Sequence, residues 1–183
     1  MSTHGYQIRD QFAVHFVTFA TVQWVEVFTR NTYADIVINS LNFCREKKGL
    51  GIIAWCLMPN HLHMIAAAKG ETGLSDILRD FKKFTSAEII RAIENNQKES
   101  RKSWMLWIFN KAGENNARNT NSQFWRQDNH PIECSTAEIF ESRIQYLHEN
   151  PVRSGLVWHA EDYRYSSAVD YLTTRKGIVN IDR

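Results

Sequence analysis

The sequence predicts an α+β fold: a four-stranded antiparallel sheet with helices on one face, and one further helix added after the last strand. Three observations predict it. Runs of β-branched and aromatic residues alternate with segments whose apolar residues recur every three or four positions. Their order is strand, helix, strand, strand, helix, strand, helix, and the first six members match the split β-α-β arrangement. Two of the strands are separated only by Pro59-Asn60, a turn too short for anything but an antiparallel hairpin.

The first strand is Phe12 to Val22, with His15, Val17 and Phe19 on one face and Val14 and Phe16 on the other. Thr29 to Lys48 is a helix, carrying Tyr33, Val37, Leu41 and Cys44 at helical spacing and ending in basic residues before Gly49. Ile52 to Met58 and His61 to Ala68 are the second and third strands. Leu74 to about Asn95 is a helix with Leu74, Ile77, Leu78, Phe81 and Thr85 along one side. Ser100 to Ser122 has the least regular pattern, and Lys111 to Asn121 reads as a polar surface loop. Gln123 to Glu133 is the fourth strand, broken near Pro131. Ser135-Thr136-Ala137-Glu138 reads as a capping box with Ser135 at the cap, opening a helix to Asn150 that Pro151 stops. The whole chain, 1–183, reads as one domain, with 96–122 a polar, partly irregular insertion and 172–183 a tail.

Composition narrows the class. Apolar residues make up 43 % and charged residues 23 %, which suits a buried core. With 22 basic and 20 acidic residues the net charge is only +2, so any contact with nucleic acid must come from a local patch. No apolar run approaches the roughly 18 residues of a spanning helix, and no secretory signal opens the chain. The three cysteines form no Cys-x-x-Cys pair. These features predict a reduced, cytoplasmic protein with no membrane partner.

His61-Leu62-His63 opens the third strand. Residues two apart in a strand share a face, so both imidazoles can converge on one divalent ion while Leu62 points into the core. Spacing alone serves equally well for two half-buried histidines with no ligand. The last helix offers matching chemistry. Ile139, Phe140, Ile144 and Leu147 form an apolar arc, and Tyr146 and Asn150 stand at its edge, roughly 40° apart. A phenol nucleophile and an amide oxygen would then face one spot. The alternative is an amphipathic helix in which Tyr146 packs and Asn150 ends the helix.

Three ordered blocks carry a resemblance. Trp55-Cys56-Leu57-Met58-Pro59-Asn60-His61-Leu62-His63, the run from Tyr146 to Val157, and Tyr163-Arg164-Tyr165-Ser166-Ser167-Ala168 resemble the Y1 (HUH) transposases of the IS200/IS605 type, most of all the REP-associated tyrosine transposases. The resemblance spans nearly the whole chain and implies a ferredoxin-like or RRM-like sheet followed by a tyrosine-bearing helix. It implies His61, His63 and Asn150 as ligands of Mg²⁺ or Mn²⁺, and Tyr146 as the nucleophile. The implied activity is nicking and rejoining of single-stranded DNA beside an imperfect hairpin, through a 5′-phosphotyrosine link, in a cytoplasmic, nucleoid-associated protein. It leaves monomer or homodimer open, because some members exchange the tyrosine helix. His148 and His130 are candidate bases. A hairpin-binding module with structural histidines is the competing reading.

DNA contact needs cations and aromatic faces. Arg79, Lys82 and Lys83 form a stripe opposite the apolar side of their helix, and Arg126 and Arg153 are further candidates, with Arg101, Lys102, Arg118 and Arg164 behind them. Trp104, Trp107 and Trp125 either stack on bases or join the core. The expectation is a positive surface running from the Arg79 helix to the His61 site.

Overall fold

A computed structural model describes residues 7–114, 122–127 and 129–182. Its four strands are β1 (His15–Ala20), β2 (Leu50–Met58), β3 (His61–Ala68) and β4 (Ile132–Glu133). They pair antiparallel in the order β2-β3-β1-β4, the order of a ferredoxin-like sheet, as the sequence predicts. The helices are α1 (Asn31–Lys47), α2 (Leu74–Asn95), α3 (Lys102–Glu114), α4 (Ala137–Arg153) and the short α5 (Ala168–Leu172).

Alternation along the strands builds two cores. Val17, Phe19, Trp55, Leu57, Leu62 and Met64 meet the apolar sides of α1 and α2 in the larger one. Phe16, Ala54, Cys56, Met58 and Ile65 point to the other face and meet Leu147, Phe140 and Ile144 of α4. The register of β2 shifts between Ile52 and Ala54, a bulge that leaves Ile53 out of the ladder. Beyond it Cys56 and Met58 lie under α4 while Trp55 and Leu57 stay in the large core. The tail is anchored: Val179 is buried, and Asp182 exchanges hydrogen bonds with the backbone of Ile52 and pairs with Arg45 and Lys69.

Four expectations change. The fourth strand is two residues long, because the chain leaves the ladder around Pro131, which has no N–H, and His130, whose φ is +40°. Phe124 to Gln127 and Asn129 still follow β1, with Arg126 N–H donating to Ala20 O and Thr18 N–H to Asn129 O. The stretch expected to be irregular contains α3, which buries Met105, Ile108 and Phe109 at helical spacing. The outward-facing Trp104 and Trp107 hide that period in the sequence. Residues 115–121 of the expected loop, with Arg118, lie outside the described residues.

The α4 helix differs at both ends. Its cap is Thr136, not Ser135: the Thr136 hydroxyl accepts from Ile139 N–H. Pro151 does not stop it either, and α4 continues to Arg153. The missing proline N–H falls in the last turn. There Gly155, at φ +70°, donates to Val152 O, and Leu156 N–H donates to Pro151 O, closing the helix by a Schellman motif.

Candidate active site

The hairpin turn and the β3 pleat bring His61 and His63 to the α4 face of the sheet, ring centroids 4.6 Å apart. His63 has one ring nitrogen engaged, and His61 has a neighbour at both. His63 Nδ1 lies 2.8 Å from Thr18 Oγ1, directly across the β1–β3 ladder, and its Nε2 is buried without a partner. Asn60 settles the state of His61. Its Nδ2 donates to Trp24 O at 3.3 Å, so its Oδ1 faces His61 Nδ1 at 2.6 Å and must accept from it. The proton therefore sits on Nδ1, and Nε2 of His61 presents a lone pair. That lone pair is 3.5 Å from the Asn150 amide nitrogen, and turning the amide over would present its oxygen to the same space.

Electrostatics keep both rings neutral near pH 7. Burial pushes the pKa of His61 down to about 4. Burial, then repulsion from His61, Arg153 and Arg143, pushes that of His63 down to about 3. Neutral imidazole is the form that binds a metal. Among the described residues no three of His, Cys, Asp and Glu cluster as a metal set, so a cation here would need the Asn150 amide as third ligand.

Tyr146 stands over this pair on α4. Its ring centroid is 5.3 Å from that of His63 and 6.0 Å, edge-on, from Phe16. At 37 % exposure the phenol is open to solvent. The Arg153 guanidinium lies 4.6 Å from the centre of its ring, and that of Arg143 lies 5.4 Å from the centre of Phe16. The four residues selected from the sequence, His61, His63, Tyr146 and Asn150, thus meet in one place and within one chain. Thr18, Asn60 and Arg143 join them. Arg143 precedes Tyr146 by one helical turn and was legible from that spacing. The Thr18–His63 contact depends on strand register, which the sequence does not display.

Other candidates lie apart. His148 is buried on the far side of α4, with Nε2 2.8 Å from Ser167 Oγ and its ring against Tyr171, so it has no access to the Tyr146 hydroxyl as a base. His130 is exposed at the break before β4. The helix α2 packs on the sheet face opposite the histidines, so Arg79, Lys82 and Lys83 approach them around the β4 side of the sheet. Arg79 pairs with Asp76 and Asp80, and Lys82 Nζ binds Arg126 O and Asn129 Oδ1, both at 2.7 Å. With Lys83 they line an open groove of about 940 Å³ between α2 and residues 122–127 with Asn129. The positive surface expected from the sequence is therefore a groove at the sheet edge. Among the described residues Arg126, over the Trp24 ring at 5.5 Å, leads from it toward His61. Trp125 is core, its Nε1 bonded to Thr85, whereas Trp104 and Trp107 are exposed.

The family described as transposase IS200 like matches residues 9–109, more than half of the chain. The chain belongs to the IS200-like transposase family. The matched span takes in both histidines and ends before α4, so Tyr146 and Asn150 lie beyond it. No curated protein matches this transposase. Among solved structures, the REP-associated tyrosine transposase bound to a REP hairpin is similar over 100 % of this chain and 93 % of its own, with 16 % identity and a TM-score of 0.66. At that identity the likeness is one of fold, and it includes the α4 region. A protein from Deinococcus radiodurans R1, provisionally named a transposase, covers 82 % of this chain and 96 % of its own at 17 % identity, with a TM-score of 0.48. No helix among the described residues is long and apolar enough to cross a membrane.

Proposed function

We propose that this transposase nicks and rejoins single-stranded DNA beside a hairpin, using Tyr146 as nucleophile and a divalent ion held by His61, His63 and Asn150. The observation that carries this reading is the partnerless, buried Nε2 of His63 beside the lone pair of His61, both beneath Tyr146. A buried nitrogen without a partner costs about 1–3 kcal/mol, and a bound cation would remove that cost. The hydrogen bonds from Thr18 and Asn60 supply the outer contacts that hold ligand histidines in one orientation. The Asn150 amide oxygen and the positions left open to water and phosphate oxygens are what Mg²⁺ or Mn²⁺ would take beside the two imidazoles.

When bound, the ion supplies Lewis-acid polarisation of a phosphate oxygen. The chain does the rest. Arg143 and Arg153 place positive charge beside the histidines, where a phosphodiester has to sit. Tyr146 Oη attacks phosphorus as the P–O3′ bond breaks, leaving a 5′-phosphotyrosine and a free 3′-hydroxyl. The phenolic proton passes to solvent, to which Tyr146 is open, and the departing 3′-oxygen takes up a proton in turn. A 3′-hydroxyl then attacks the phosphotyrosine and reverses the step, so rejoining needs no external energy. The REP hairpin of the structurally similar transposase supports a hairpin as the recognised feature. Because α4 covers the histidines of its own chain, one copy carries the full set.

The test incubates the protein with Mn²⁺ and labelled hairpin-flanked single strands and reads covalent adducts on denaturing gels. Wild type should form one and EDTA should prevent it. Tyr146→Phe should lower it by about 10³-fold or more while still binding the strand. An undiminished adduct in that variant overturns the nucleophile, and binding without cleavage across a library of flanking sequences favours a hairpin-binding module.

A further inference from the structure

The turn after β1 holds a tryptophan that the proposed chemistry does not use. Trp24 is 48 % exposed, and both it and Gln23 have positive φ, +57° and +51°, the left-handed region that residues with side chains rarely adopt. The surroundings force this conformation. Trp24 N–H donates to Thr21 O, the single Thr21 hydroxyl proton is shared between Val25 O and Asn60 O, and Asn60 Nδ2 donates to Trp24 O. Strained backbone pinned at both ends, with a large apolar ring left in solvent, marks a functional position rather than a packing one.

The ring's neighbours say what it could take. Its centroid is 5.6 Å from that of His61, and Arg126 spreads its guanidinium 5.5 Å from its centre. Asn60 ties the two sites together, since one side chain holds both the Trp24 carbonyl and His61 Nδ1. Arg126 itself comes from the segment whose carbonyls bind Lys82 of the α2 groove. An aromatic face flanked by a guanidinium is the chemistry that stacks a nucleobase and pairs with its phosphate.

We propose that Trp24 and Arg126 form a stacking subsite for one nucleobase of the bound single strand, next to His61. This rests on the reading that the substrate is single-stranded DNA, but not on cleavage or on the metal. The subsite sets the strand's register: a base held on Trp24 places its own phosphate within a nucleotide or two of the histidines. Stacking tolerates any base, so this subsite positions the strand and leaves sequence discrimination elsewhere.

The test uses the full-length protein in EDTA and a 12-nucleotide oligo-dT strand with one central 2-aminopurine, whose fluorescence falls on stacking. Wild type should quench it. Trp24→Gly, which also relieves the backbone, and Trp24→Leu, which keeps apolar bulk, should each lose most of the quench and bind about 5- to 150-fold more weakly. Trp24→Phe should stay within about threefold of wild type, and melting temperatures should confirm that the variants fold. The proposal is overturned if wild type gives no quench, or if Trp24→Leu binds and quenches like wild type. If wild type never forms the covalent adduct but this pattern holds, the nicking chemistry fails and the subsite stands. If the adduct forms and the pattern is absent, the reverse is true.

Discussion

A side chain's role here follows from which of its polar atoms are already occupied. Both histidines have Nδ1 engaged, His63 with Thr18 and His61 with Asn60, so only Nε2 faces the space beneath Tyr146. If that space holds the ion, the Thr18 hydroxyl acts as an outer contact. Thr18→Val should then lower Mn²⁺ affinity by about 10- to 100-fold in a titration, and the unpaired His63 Nδ1 should lower the melting temperature by a few degrees. Unchanged affinity would reduce Thr18 to a packing residue. At this scale Tyr146 and Asn150 were legible because an i, i+4 pair at the edge of an apolar arc is visible in sequence alone. Thr18 and Trp24 were not. Their parts come from a cross-strand register and from backbone held in the left-handed region, and neither leaves a periodic signal.

Among the elements, α4 is the one on which the site depends, because it carries Tyr146 and Asn150 and packs only its Leu147 side on the sheet. Its ends are defined by single residues. Thr136→Ala removes the hydroxyl that Ile139 N–H donates to, and should cost about 1 kcal/mol in urea unfolding at unchanged m. Gly155→Ala meets no atom within 4 Å, so its cost, about 1–2 kcal/mol, is that of a left-handed backbone alone. A neutral result at Gly155 would mean the C-terminal turn opens without loss to the fold. Sequence periodicity located α2 to the residue and α1 to within two, where apolar stripes are long and face one way. It missed α3, whose outward tryptophans blur the stripe, and overextended β4, whose chain follows β1 without the regular ladder around Pro131. It also read Pro151 as a stop, whereas the helix runs through it and closes at Gly155, where Leu156 N–H donates to the Pro151 carbonyl.

Across the whole molecule, distant segments are joined by a few charged groups. Glu99 is buried between α2 and α3, where it accepts hydrogen bonds from Arg30, Arg101 and Tyr33. Burial alone would raise its pKa, but the hydrogen bonds from Arg101 and Arg30 prevail and hold it at about 2 against an ordinary 4.5. Its folded value is depressed, so its stabilisation is complete above pH 4.5 and is lost as pH falls from there to about 2. Glu99→Gln should be about 1–3 kcal/mol less stable at pH 7 and should lose stability less steeply below pH 4.5. Parallel acid limbs in the two proteins would remove Glu99 from that role. The net charge of +2 is likewise a sum that conceals its distribution. Cations line the α2 groove and flank Tyr146, and while Asp76 and Asp80 offset Arg79 there, Glu99 is spent on Arg30 and Arg101 away from both places.

In the proposed reaction Tyr146 joins covalently to the 5′ side of the cut strand. The adduct formed with Mn²⁺ and a hairpin-flanked strand can be digested with trypsin and nuclease, and its peptides weighed. The nucleotide mass should sit on the peptide from Ile144 to Arg153, whose sole tyrosine is Tyr146. Nucleotide mass on any other tyrosine, or a strand cut with no mass on protein at all, would contradict it.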